Sequence, residues 1–311
     1  MLLSVVIPVF NSEMFIKKTV NTVFTELENH TEKLELVLVD DSSTDNVWNV
    51  LCDLAAHDER IKIIRLARNC GQHIALFVGL SAANGDCVVT IDDDLQNPPE
   101  EIPKLLNYIN SGHDLVVGSF PIKSHSLFRN IGSKIIHWSV SRIFISRSDF
   151  RHTNFHAISR SVLDRVLSYK GDFPYINGLC IQNSTNPINI EVRHDQRVSG
   201  KSNYSLMKLI ALAFKIIYSY SDIPIKAMLF LGFSTSVISL MVGIYALINS
   251  LLQEHAIPGW TSLIVVVSFS NALIFIILSL LVSFLSNIRT VVTNKRSYLI
   301  SEQYGKTYDN V

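Results

Sequence analysis

Three aspartates, Asp92, Asp93 and Asp94, stand side by side in the stretch TIDDDLQNPPEEI, residues 90–102. No Lys or Arg lies within seven residues on either side of them. Adjacent carboxylates repel one another unless water, protons or a cation offsets their charge. Side chains two apart on an extended strand point the same way. Asp92 and Asp94 can therefore converge on one ion, with Asp93 on the other face. Several hard oxygen donors suit Mg²⁺ or Mn²⁺ rather than zinc, and such ions keep waters and bind substrate phosphates. A solvated acidic turn accounts for the same residues, and the motif alone does not separate the two. A second acidic pair, Asp40-Asp41, closes the apolar run LELVLVD.

Both acidic clusters belong to a repeating pattern. Short apolar runs, LLSVVIPV, LELVLVD, IKIIRL, CVVTID and DLVVGS, read as strands. Between them lie the helical stretches NSEMFIKKTVNTVFTELENH, STDNVWNVLCDLAAHDE, QHIALFVGLSAANG and PPEEIPKLLNYINSG. Asn11 or Ser12 is placed to cap the first helix. Gly85 and Gly112 stand where helices end, and prolines open the fourth. Gly71 and Gly79 read as turn or helix-packing positions. Strand and helix alternating at this spacing predict an α/β fold with a mainly parallel, doubly wound sheet. Such sheets bind ligands at the carboxyl ends of their strands, so Asp40-Asp41 and Asp92–Asp94 should open onto one crevice. From about 121 to 200 the periodicity weakens.

Composition separates a second region. The 311 residues carry 27 basic and 27 acidic side chains, a net charge of zero. That balance speaks against a nucleic-acid binder, which is normally basic. The hydrophobic fraction is 48% and the mean hydropathy +0.28. The excess sits near the C-terminus, where 227–253 and 256–288 carry no Asp, Glu, Lys or Arg apart from Glu254 between them. Each is longer than the roughly 20 residues that cross a bilayer. Neither shows the polar stripe of a soluble core helix. The pattern predicts a two-helix transmembrane hairpin, with spans near 227–252 and 262–286 joined by QEHAIPGWT. Lys201, Lys208, Lys215 and Lys226 precede it, and Arg289, Lys295 and Arg296 follow it. The positive-inside rule then places both termini in the cytosol. KSNYSLMKLIALAFKIIY, with Leu206, Leu209, Ile210, Ala213, Phe214 and Ile217, fits an amphipathic helix on the membrane face or a plain connector. Cys52, Cys70, Cys87 and Cys180 lack C-x-x-C spacing, which fits reduced structural thiols.

SVVIPVFNSE, VLVDDSSTDN, ARNCGQHIALFVGL, IDDDLQNPPEEIPKL and VRHDQRVSGKSNYSLMKLIALAF, in that order, resemble the motifs of family 2 glycosyltransferases of the polyprenyl-phosphate type. The resemblance covers nearly the whole chain, including AIPGWTSL in the hairpin and NKRSYLI in a basic tail. It implies a GT-A domain over 1–200 and an amphipathic region over 201–224. Transmembrane helices would occupy 225–288, and a cytosolic basic tail 289–311. Pro8, Phe10 and Asp41 match positions that hold the nucleotide base. Asp92 and Asp94 match the metal-binding D-x-D pair, Asp93 is grouped with the nucleotide contacts, and Gln96 matches a further metal contact. Arg197, Gly200, Ser202 and Tyr204 match the R-x-x-G-x-S-x-Y segment near the phosphates, and Arg129 falls where a phosphate-binding Arg is frequent. The catalytic set implied is Asp94, Arg197 and Asn154.

Departures from the pattern are specific. Phe120 stands where an Arg is common, and Lys201 and Asn203 replace a frequent Glu and Lys. Asn154, in NFHAISRSVLDRV, occupies the position where the family often has an Asp proposed as base; Asp149 lies five residues out of that register. The reaction implied is inverting transfer of a sugar from a nucleotide donor, UDP favoured, to polyprenyl (undecaprenyl) phosphate. Mg²⁺ or Mn²⁺ assists, and the setting is a bacterial inner membrane and its envelope glycans. The resemblance extends to homo-oligomers. Two other readings are a catalytically inactive scaffold for a partner transferase or flippase and a processive polysaccharide synthase. The Q-x-x-R-W string of the latter is absent.

Overall fold

A computed structural model describes residues 1–28, 30–31, 33–120, 143–144, 150–151, 153–171, 173–193, 206–252, 259–292 and 298–305. The chain divides into two units, 1–216 with 295–311, and 217–294. Eight strands form the sheet of the first unit: β1 (Leu2–Val9), β2 (Lys33–Asp40), β3 (Ile61–Leu66), β4 (Cys87–Thr90), β5 (Leu115–Ser119), β6 (His156–Ser159), β7 (Pro187–Glu191) and β8 (Ile300–Tyr304). Their order across the sheet is β7-β5-β6-β4-β1-β2-β3-β8. β1, β2 and β4 are buried almost throughout. Covered on both faces, they need continuous apolar runs rather than alternation.

The helices α1 (Ile16–Leu27), α2 (Val47–His57), α3 (Gln72–Ala82) and α4 (Ile102–Asn110) occupy the predicted crossovers. α1 buries Ile16, Val20, Val23, Phe24 and Leu27, one stripe of a 3.6-residue repeat. Its cap differs from the expectation. Phe15 occupies the N-cap without a side-chain bond, because the Asn11 carboxamide instead accepts from Thr44. α3 lies close on the sheet through Gly79, where an added Cβ would meet Val6 Cγ1 at 2.4 Å.

β5 does not sit beside β4 as a simple alternating pattern suggests. β6 runs antiparallel between them, pairing Thr90 with His156 and Val117 with His156. Two short helices, α5 (Arg160–Leu167) and α6 (Ile176–Asn183), follow it. The inversion has a positional consequence. The start of an antiparallel strand lies at the carboxyl end of its neighbour, so Asn154 arrives beside Asp92.

The boundary expected for the tail is corrected. Residues 289–311 are not simply a trailing basic segment: Ile300–Tyr304 returns to the first unit as β8, antiparallel to β3. Leu299 O accepts from Ala67 N, and Ser301 Oγ donates to Arg65 O. Tyr304 packs against Trp48 at 6.2 Å between ring centroids. β3 would otherwise be an open edge with unpaired backbone groups, and β8 covers it. Arg65 links the tail inward: Nη1 lies 3.6 Å from Glu302 Oε1 and Nε 3.2 Å from Asp40 Oδ2. Its guanidinium also stacks over Trp48.

α7 (Leu206–Tyr220) buries Ala213 and Ile216 and exposes Phe214. In the second unit, α8 (Ile223–Leu252) and α9 (Trp260–Val292) pack as a pair. Small residues let them approach: Ser236 Oγ donates to Ala272 O at 3.1 Å, and Gly243 faces Ser268. Ile225–Leu252 and Ser262–Val282 are long and apolar enough to cross a membrane, and only 11% of each span is buried. Core helices of a soluble protein would hide such surface, which disfavours that alternative.

Two outcomes test this packing. Arg65→Ala leaves the fully buried Asp40 carboxylate without its cation. Because Arg65 is part-exposed, the cost should be about 2–3 kcal/mol, below that of a fully buried pair. Chemical unfolding of detergent-solubilised protein measures it, and a loss under about 0.5 kcal/mol would remove Arg65 from this role. His156 is buried against Thr90, Thr153 and Cys180, and burial lowers its pKa to about 4. A folded value below the unfolded one gives stability that is present above about pH 6.5 and lost as pH falls toward 4. Wild type should therefore lose melting temperature relative to His156→Gln across that window, whereas parallel curves would contradict it.

Candidate active site

The carboxyl ends of β1, β2, β3 and β4 share one edge, and each turn there holds a residue with positive φ. These are Asn11 (52°), Ser42 (57°), Gly71 (92°) and Leu95 (56°). Glycine accepts this conformation freely, but each non-glycine pays about 1–2 kcal/mol for it. The side chains knit the turns together. Asn11 N donates to Ser43 Oγ, Ser43 N to Asp40 Oδ1, Glu13 N to Asp45 Oδ2, and Asn46 N to Glu13 Oε2. The loops after β1 and β2 are thus one hydrogen-bonded body.

The three aspartates each meet a different environment. Asp92 lies among carboxamides. Gln72 Nε2 donates to Oδ1 at 2.6 Å, and Asn97 Nδ2 reaches Oδ2 at 3.5 Å. Burial pushes its pKa up to about 7, with the Asp94 and Asp93 charges adding to the rise. A side-chain hydrogen bond from Asn154 partly offsets it. Asp93 turns toward β1 and accepts from Phe10 N at 3.2 Å. Burial pushes it up to about 6, against lowering by its hydrogen bonds. Its main-chain O accepts from Thr19 Oγ1, tying the motif to α1. Asp94 Oδ1 accepts from Gln96 N across the left-handed Leu95.

The expected base-binding residues are distributed unevenly. Pro8 lies in β1, paired in register with Val39. Phe10, 40% exposed at the end of β1, presents its ring to solvent. Asp41 holds the turn before α3: its two oxygens accept from Cys70 N at 2.7 Å and Gly71 N at 2.8 Å. Burial raises its pKa, and those bonds oppose the rise. Asn154 O accepts from Thr90 Oγ1, and its side-chain Oδ1 accepts from Asn177 Nδ2 at 3.1 Å. Arg129, Asp149, Arg197, Gly200, Lys201, Ser202, Asn203 and Tyr204 lie outside the described residues.

The donor set fits a hard divalent cation by its chemistry. The carboxylates of Asp92, Asp93 and Asp94 and the Gln96 carboxamide offer hard oxygen donors. Among the described residues, however, no group of three His, Cys, Asp or Glu is already gathered as a metal cage. Asp92, expected to converge on the ion with Asp94, also accepts hydrogen bonds from Gln72 and Asn97.

Sequence reasoning missed Gln72, Asn97, Asn177 and Arg65. Gln72, Asn177 and Arg65 are polar residues whose partners are distant in the chain, Asn97 meets Asp92 five residues away, and no spacing rule marks any of them.

The family model "Glycosyl transferase family 2" matches residues 4–168, the span that contains β1 to β6 and the aspartates. A relative from Photorhabdus laumondii, undecaprenyl-phosphate 4-deoxy-4-formamido-L-arabinose transferase, is 30% identical over 99% of this chain and 96% of its own. The protein of the same name from Proteus mirabilis is 30% identical over 97% of this chain and 94% of its own. Among solved structures, glucosyl-3-phosphoglycerate synthase from Mycobacterium tuberculosis, in complex with Mn²⁺, UDP and phosphoglyceric acid, shares the fold. It has a TM-score of 0.51 and 19% identity, and the match covers 69% of this chain and 75% of that one. The GT-A sheet, the acidic edge and a family match over more than half of the chain agree: this protein belongs to glycosyl transferase family 2.

Proposed function

We propose that this enzyme moves a sugar from a nucleotide donor, UDP-linked, to undecaprenyl phosphate at the cytosolic face of a bacterial inner membrane. The observation that carries the reading is one chain holding two things. The acidic edge of a GT-A sheet stands in the first unit, and two exposed, membrane-length apolar helices make up the second. The relatives named for an undecaprenyl-phosphate substrate align over almost the whole chain, hairpin included.

The roles follow from chemistry. Phe10 offers a ring face to the base, and the joined β1 and β2 loops fix its approach. Asp94 and Gln96 would hold Mg²⁺ or Mn²⁺, with Asp92 supporting them. A bound divalent ion would neutralise the departing nucleoside diphosphate. The acceptor is a phosphate monoester whose second pKa is near 6, so it is already an anionic nucleophile at cytosolic pH. It needs orientation and charge compensation more than a base, which accommodates Asn154 at the position where a carboxylate is frequent. Direct attack on the anomeric carbon inverts its configuration. Arg129, Arg197, Ser202 and Tyr204 are assigned to the phosphates by their motif.

Connectivity supports the membrane arrangement: residues 1–216 and 295–311 belong to one unit, which fits a chain that crosses at α8 and returns at α9. Both ends then stay on one side, and the flanking lysines and arginines make it the cytosolic side. α7 would lie along the surface with Phe214 toward lipid, while Lys215 Nζ sits 4.1 Å over the Phe173 ring.

Full-length protein in nanodiscs, given undecaprenyl phosphate, Mn²⁺ and a panel of labelled UDP-sugars, should yield a lipid-linked product from at least one donor. Asp94→Ala should cut the rate at least ~100-fold, the scale of lost electrostatic stabilisation, with melting and membrane insertion unchanged. No lipid product from any donor would defeat the transferase reading and favour the scaffold.

A further inference from the structure

A chain of polar side chains runs from Gln72 through Asp92 and Asn154 to Asn177, and beside it two buried polar atoms have no hydrogen bond. Gln72 bonds Asp92, Asp92 accepts from Asn154, and Asn154 accepts from Asn177. Asn177 stands in the first turn of α6, two residues after Tyr175. The Tyr175 ring meets His73 edge-on at 4.8 Å, and His73 adjoins Gln72 at the start of α3. The atoms left over are Asn177 Oδ1 and His73 Nδ1, both buried and without a hydrogen bond.

The carboxylate sets the direction of this chain. Whenever Asp92 is ionised it only accepts, and Asn154 then gives it the NH₂ and turns its oxygen toward Asn177, whose Nδ2 donates to it at 3.1 Å. That oxygen can only accept, so Asn177 in turn must give its NH₂ and present Oδ1 at the far end. With Asp92 ionised, the orientation of both amides follows from it. Asn177 is 9% exposed. Leaving a buried carbonyl oxygen unpaired carries a desolvation cost that a donor from a ligand would relieve.

We infer that Asn177 is a specificity-determining residue whose Oδ1 accepts a hydrogen bond from a hydroxyl of the transferred sugar. The inference rests on the sugar-transfer reading above. A carbonyl oxygen repels phosphate oxygens and does not pair with a base ring face or an isoprenoid, and the affinity for UDP alone separates a sugar hydroxyl from the ribose hydroxyls and base N–H of the nucleotide. Asp92 acts on the sugar at one remove, by orienting both amides.

The test uses full-length protein in nanodiscs with undecaprenyl phosphate and Mn²⁺. Donors are UDP-glucose, UDP-galactose, UDP-N-acetylglucosamine, UDP-xylose and UDP-arabinose, then the monodeoxy analogues of the best one. Wild type should reject one monodeoxy analogue by ~100-fold or more in kcat/KM, as sites built around a hydroxyl do. Asn177→Ala should bring that ratio within about fivefold of unity by losing rate on the parent sugar. Its affinity for UDP alone, measured by calorimetry, should stay within about twofold of wild type. Asn177→Ser, which keeps a short hydroxyl, should retain part of the discrimination and serves if the alanine variant does not fold. An unchanged ratio, or equal losses on the parent and every analogue, would reduce Asn177 to a structural amide and overturn the proposal. Turnover of no donor by wild type would overturn the transferase reading itself.

Discussion

Three adjacent, part-buried carboxylates at the tip of a buried strand repel at close range. The edge of this sheet is organised around that repulsion. Among the described residues no lysine or arginine pairs with Asp92 or Asp93. Compensation comes from the amides of Gln72 and Asn97 around Asp92 and from the Phe10 N–H on Asp93. Dipoles offset charge only in part, which is why burial can hold both carboxyls well above the usual range. Such a cluster favours positive charge beside it.

The fold has to bring the compensating groups to one place, and it does so by two devices. Parallel β1, β2, β3 and β4 end at a common edge, so their turns meet, and the left-handed residues at Asn11, Ser42 and Leu95 bend the chain sharply enough to join them. β6 then runs the opposite way between β4 and β5. Its reversed direction delivers Asn154 to the same edge, and the following segment delivers Tyr175 and Asn177.

The C-terminal strand adds a link in the other direction. β8 closes the β3 edge, and Arg65 spans from Glu302 in β8 to Asp40 at the end of β2. Asp40 in turn holds the Ser43 N–H, next to Asp41, whose carboxylate fixes the turn into α3. The residues that follow the apolar hairpin are thereby in mechanical contact with the loops around the acidic edge. A parallel sheet gains an antiparallel strand at its border, a common way to cover an exposed edge.

The sequence by itself determined the strands β1 to β5, the helices α1 to α4, the two membrane-length helices and the position of the acidic clusters. Each of these depends on local periodicity, on glycine and proline punctuation, or on a long run without charge. Those signals lie within a window of some twenty residues and need no knowledge of what packs where. It also carried the family, through motifs whose order spans the chain. Only the tertiary structure decided that β6 enters in reverse, that 300–304 is a strand rather than a tail, and that Asp92 faces Gln72, Asn97 and Asn154. Five-residue edge strands such as β8 have too little pattern to be told from a polar tail. Amides such as Asn177 show what they do only through partners more than twenty residues away, and the direction of their hydrogen bonds follows from a carboxylate that the fold, not the local chain, sets beside them.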